Sequence, residues 1–208
     1  MKKYDVKYQW KEEKFFQRMH LDTESSLNRK IRNQISNLKQ IAEQTMNIQT
    51  RYLEEDKQWH TGIREVDLCE KKIICLVYAS ENTIDILNEI EEKGDYLEGF
   101  IFHELINDML FYAADQLYDF LIKQYKKKGI FLTRQFFPGE NGISLDLQQS
   151  LLYRMKKESK LPVEINSHYM LIPEKAMLYV VGADEKNLEI TWKHTCKMCD
   201  REHCYFRQ

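Results

Sequence analysis

The chain has 208 residues, 43% of them hydrophobic and 12% aromatic, enough for one full domain, or one domain with a small appendage, around a real core. Its 31 Lys and Arg nearly cancel 33 Asp and Glu, and a net charge of −2 argues against a polyanion-binding protein. No stretch approaches the roughly 18 apolar residues of a membrane span, Met1–Lys7 lacks an apolar signal core, and the cysteine count of 5 is odd; a reducing, cytoplasmic setting without nucleic-acid or membrane partners is expected.

Tyr4, Trp10, Phe15 and Phe16 belong to an arm expected to pack on the body. From about Thr23 to Glu55, Leu27, Ile31, Ile35, Leu38, Ile41 and Met46 recur at three- and four-residue steps, which predicts one amphipathic helix capped by Asp22 or Thr23. Residues 1–60 therefore read as an N-terminal helical arm. The continuous apolar run within Lys71–Ala79 predicts a buried strand, with Cys75 as a small hydrophobe inside it. Ser80–Thr83 opens a helix through Ile90 that ends at Lys93-Gly94-Asp95. A longer helix runs from Tyr96 to about Tyr125, with Phe100, Leu105, Met109, Ala113, Leu117, Phe120 and Leu121 as its apolar face, and Lys126–Gly129 terminates it.

Phe131–Phe137 reads as a strand or extended segment running into a Pro138–Gly142 turn. Ser144–Asp146 then restarts a helix with Leu147, Leu151, Leu152 and Met155 on one side. Val163–Ile165, Tyr169–Ile172 and Ala176–Val181 read as strands, and Asn187–Trp192 as a further short one. Helices and strands alternate without a regular βαβ order, so the expected fold is α+β with a mixed or antiparallel sheet: a body over residues 61–192 and a cysteine-rich tail over 193–208.

The tail carries Cys196, Cys199 and Cys204 as C-x2-C-x4-C, three soft thiolates within reach of one zinc ion or iron–sulfur cluster. A fourth ligand could come from His194, His203, Cys69, Cys75 or outside the chain. Reduced thiols on a C-terminal turn, or a disulfide, are the alternatives. Elsewhere Arg134 precedes Pro138-Gly139, where a guanidinium fork can meet a carboxylate or phosphate and glycine lets the backbone approach it. His103, Glu104 and Asn107 share helical spacing without a second histidine to complete a zinc motif, and His20, His60 and His168 are isolated.

The order of these pieces resembles the activation domain of vitamin B12-dependent methionine synthase and small stand-alone bacterial proteins related to it, over about residues 65–207. The resemblance rests on the Lys71–Ala79 strand, Thr133-Arg-Gln-Phe-Phe-Pro-Gly139 beside the family's Thr-Arg-Arg-Phe-Ser-Pro-Gly-Tyr, Gln148-Gln149, Leu171-Ile-Pro-Glu-Lys-Ala-Met177 and the final C-x2-C-x4-C-x2-R. It implies a twisted, mostly antiparallel sheet with flanking helices that binds S-adenosylmethionine. It also implies an accessory role in reductive remethylation of a cobalamin-dependent methyltransferase, with the cobalamin on that partner module and electrons from flavodoxin or another reductase. Arg134 is then expected to take the donor's carboxylate, with Pro138 and Gly139 shaping the wall of its pocket and Glu140 placed to meet the donor's cationic sulfonium or amino end. Glu140 replaces the family's tyrosine, Tyr112 an acidic residue and Ala176 a serine. These departures keep two alternatives open: a same-fold interaction or electron-relay subunit without donor binding, and a zinc-stabilised scaffold unrelated to corrinoids.

Overall fold

The computed structural model describes residues 1–7, 12–19, 21, 25–45, 47–93 and 96–186. Two helices lead the chain, α1 (Glu12–Arg18) and α2 (Ser26–Thr45), followed by strand β1 (Ile48–Asp56), α3 (Arg64–Asp67) and β2 (Lys71–Ala79). Next come α4 (Glu81–Glu92), α5 (Tyr96–Lys126), β3 (Phe131–Leu132), α6 (Leu147–Glu158), β4 (Glu164–Ile165), β5 (Leu171–Ile172) and β6 (Ala176–Asp184). The main sheet has the order β1-β2-β6-β3 with every neighbour antiparallel, and β4 and β5 form a separate antiparallel pair. The architecture is thus mixed α+β, with a mostly antiparallel sheet and flanking helices. Trp10, His20, Asp22, Thr23, Met46, Gly94, Asp95 and the 187–192 strand expectation lie outside the described residues.

The sheet separates two cores. In β2, Ile73, Cys75 and Val77 face α5, whereas Ile74, Leu76 and Tyr78 face α6. Strict alternation places successive side chains on opposite faces, so a strand covered on both reads as an unbroken apolar run. Phe15, Leu21, Ile35, Leu38 and Ala42 join the α5 core, so the N-terminal stretch is part of the main body. Tyr4 also packs there, stacked on Phe120 at 4.7 Å. The backbone of Lys2 pairs with Tyr52 across the outer edge of β1 (2.8 and 2.9 Å).

One element differs from the sequence expectation. The helix ends at Thr45, and Ile48–Asp56, read as its last turns, is an edge strand paired with β2 along its whole length. Glu, Gln and Leu favour helix locally, but the 3–4 periodicity stops before this segment, and the pairing offered by β2 decides its state. The apolar face of α5 is also wider than expected: Phe102, Ile106, Leu110 and Tyr118 are buried and Phe100 is half exposed. Helices flanked by neighbours bury more than one stripe. Two buried phenols tie α5 to the sheet, Tyr118 donating to Thr133 O (2.6 Å) and Tyr179 to Ala114 O (3.2 Å).

Glu54 links β1 to the end of α5, accepting from Lys71 at 2.6 Å and from the Tyr125 hydroxyl. Burial pushes its pKa up, but the hydrogen bonds from Lys71 and Tyr125 outweigh this and hold it below its usual 4.5. A carboxyl lowered by folding stabilises above its unfolded pKa and loses that stabilisation as pH falls through the folded one. The urea midpoint should therefore drop as pH is lowered below about 4.5, and Glu54→Gln should flatten part of that drop.

Candidate functional site

The site is built where β3 departs from regularity. Thr133 N donates to Gly182 O (2.9 Å), and Phe136 and Val180 exchange two bonds of 3.0 Å. Arg134 and Gln135 therefore stand opposite Val181 alone, a β-bulge. The extra residue reverses the alternation. Leu132 packs in the α5 core and Phe136, four residues on, in the α6 core, although a regular strand would put both on one face. Gln135 is buried beside Tyr179, while Arg134 emerges half-buried on the α6 side, its guanidinium 4.1 Å from the Phe136 ring centre.

Arg134 faces a groove of about 560 Å³ lined by His60–Glu65, Phe136, Asn141–Ser144, Asp146, Leu147 and Ser150. Among the described residues Arg134 makes no ion pair; its Nη1 donates to Gln135 O at 3.5 Å. A guanidinium stacked on an aromatic ring and lacking a carboxylate is pre-organised for an anionic group.

One wall is the loop before α3. Asp67 accepts from Thr61 N (2.8 Å), Thr61 Oγ1 (2.9 Å) and Gly62 N (3.0 Å), and so fixes the shape of that loop. Beneath it lies Lys72, with a side-chain exposure of 0%, its ammonium 3.9 Å from Asp67 Oδ1 and bonded to Lys57 O at 3.3 Å. The Trp59 ring has cation–π contacts with both Lys72 (5.7 Å) and Arg154 (4.2 Å), and Arg154 pairs with Glu55 at 2.8 Å. Sequence reasoning passed over this wall; its one local signal was Thr61-Gly62 followed by Asp67, a carboxylate placed to bind turn amides.

The opposite wall is the loop from Phe137 to Ser144. Gly139 N bonds to Ile143 O (2.9 Å), and Gly139, Asn141 and Gly142 all have positive φ (86°, 49° and 74°). Pro138, Gly139 and Glu140 form the outer bend; the returning limb Asn141–Ser144 lines the groove in their place. Tyr112 sits on α5, where its hydroxyl accepts from Gln116 Nε2 at 2.8 Å, and no α5 residue lines this groove. Gln148 donates to Tyr169 O (3.0 Å), fastening the β4–β5 hairpin to α6.

Cys196, Cys199 and Cys204, with His194 and His203, lie outside the described residues. Cys69 and Cys75 are buried free thiols. Burial, and then Asp184, push Cys69 up to about 11, and burial raises Cys75 further, so both are held as thiols at neutral pH, as small hydrophobes would be.

Fold and groove together define a mixed α+β protein carrying a solvent-open, arginine-bearing cleft beside a bulged strand. No family model matches the chain, and no curated protein matches it either. Among the described residues no helix is long and apolar enough to cross a membrane.

Proposed function

We propose that this chain is an accessory protein for the reductive, S-adenosylmethionine-dependent reactivation of a cobalamin-dependent methyltransferase such as methionine synthase. The observation that carries the reading is Arg134: a guanidinium that has no carboxylate partner among the described residues, stacked on Phe136 in a groove of about 560 Å³. That volume is in the ordinary range for small-ligand clefts. Resemblance to the methionine synthase activation domain supplies the identity of the ligand, and the α+β architecture is compatible with it.

When bound, S-adenosylmethionine supplies the methyl group, while the partner module carries the cobalamin and flavodoxin or a similar reductase supplies the electron. The protein's own part is positioning. Arg134 would hold the donor's carboxylate, Asp67 would keep the Thr61–Ile63 wall in place, and the Pro138–Glu140 bend would fix the facing limb. Holding the reacting groups in line and away from water accounts for most of what such a protein contributes to transfer.

Calorimetry on protein purified without oxygen tests this. Wild type should bind S-adenosylmethionine at micromolar concentration, and Arg134→Ala should weaken binding at least tenfold, about 1.4 kcal/mol. Absence of binding to wild type would overturn the donor role.

A specific observation favours a second reading. Gln135, standing where the family's motif has its second arginine, is buried on the other face of the sheet. A protein of the same fold that has lost the donor would then act as an interaction or electron-relay subunit through its tail at Cys196, Cys199 and Cys204, where an iron–sulfur cluster could carry an electron and zinc could only brace the fold. Iron and zinc content of the anaerobic protein, compared with Cys199→Ser, separates the two metals.

A further inference from the structure

A second polar cluster shares no residue with the groove. Lys175, just ahead of β6, is 3% exposed, and its Nζ lies 2.8 Å from Nδ1 of His103 and 2.9 Å from Asn107 Oδ1, both on α5. Glu174 Oε1 binds the imidazole at Nε2 (3.0 Å) and comes to 3.6 Å from the amine. Asn107 in turn donates to Glu104 at 3.2 Å.

The contrast with the other lysines is informative. Lys71 meets a carboxylate at 2.6 Å and Lys57 one at 2.7 Å, and each is held more firmly protonated than usual. Lys175 instead has its contacts under 3 Å with an imidazole nitrogen and an amide oxygen, and its nearest carboxylate, Glu174, stands farther off at 3.6 Å. Burial lowers its pKa more than Glu174, Glu104 and Glu91 raise it. Amine, imidazole and carboxylate follow one another as nucleophile, base and orienting group. His103 is 36% exposed at its side chain and opens the cluster to solvent; Phe100 on α5 and Ile172 on β5 are about half exposed.

We propose that Lys175 is a nucleophilic amine that condenses with small, neutral aldehydes to form an imine, with His103 relaying the proton. The amine lone pair forms the C–N bond as the carbonyl electron pair moves to oxygen. His103 takes a proton from nitrogen and returns it to that oxygen, giving a carbinolamine; a second proton carried from nitrogen to the hydroxyl by the same route lets it leave as water while the nitrogen lone pair forms the C=N bond. Glu174, Glu104 and Glu91 around the amine disfavour an anionic carbonyl compound such as glyoxylate.

The test is reductive trapping on the full chain near neutral pH, using propionaldehyde with cyanoborohydride and peptide mass spectrometry. Lys175 should be alkylated at least tenfold faster than any exposed lysine. His103→Gln should slow that labelling several-fold without moving the urea midpoint, a split that a purely structural histidine would not give. Propionaldehyde should exceed glyoxylate at Lys175; equal labelling would overturn the assignment to neutral aldehydes. Labelling of Lys175 no faster than surface lysines would overturn the proposal, and wild-type protein alone decides this if Lys175→Arg does not fold.

Discussion

Asp67→Ala should destabilise the protein by about 3–5 kcal/mol, read as a fall in the urea midpoint. Two losses coincide in that substitution. Thr61 and Gly62 lose the acceptor of three hydrogen bonds, and the ammonium of Lys72, fully enclosed beneath the loop, loses the carboxylate 3.9 Å away. Removing one member of a buried pair leaves the other uncompensated, whereas replacing the charge itself by an apolar chain of similar length is far milder. Lys72→Met should therefore cost less than half as much, although it gives up the cation–π contact with Trp59. Equal losses in the two variants would show that the enclosed charge is not the source of the cost. Because Asp67 shapes the groove wall, its removal should also weaken any ligand held by Arg134.

Gly182→Ala should destabilise by about 1–3 kcal/mol, the ordinary penalty of overpacking. A Cβ there would stand 2.6 Å from Cys69 Sγ, 3.1 Å from Thr133 Cγ2 and 3.2 Å from Cys69 Cβ. The strand cannot easily retreat: Gly182 donates to Thr133 Oγ1 (2.8 Å) and accepts from Thr133 N (2.9 Å), beside the bulge. Cys69→Ala removes the sulfur and should recover most of the loss in a double-mutant cycle. A purely additive double variant would place the strain elsewhere.

What the sequence made legible was what local pattern encodes. The apolar run of β2 announced a strand covered on both faces, and long periodic stretches announced α5 and α6. Arg134 stood out because a Pro-Gly turn follows it. The failures have a common cause in pairing between distant segments. Ile48–Asp56 is a strand because β2 lies beside it, and nothing between Ile48 and Asp56 demands that state alone. The bulge exists only in relation to β6, so nothing local foretold that Arg134 and Gln135 would part to opposite faces. Lys72 and Lys175 look like ordinary solvated lysines in a charged chain, yet one lies under a groove wall and the other against an imidazole. Burial of a charge is a tertiary fact, readable only once its partners are in place.

β2 has neighbours on both edges and a core on both faces, and the segments of both sites hang from its two ends: the Asp67 loop enters it and Lys175 O receives the Ala79 amide as it leaves. Its amides have no route to solvent that spares the rest of the molecule, so they exchange only when everything opens together. The strand works as the keel of the protein: the groove wall and the lysine cluster, anchored at its opposite ends, share one slow, common lifetime, and a lesion in β2 would end both at once.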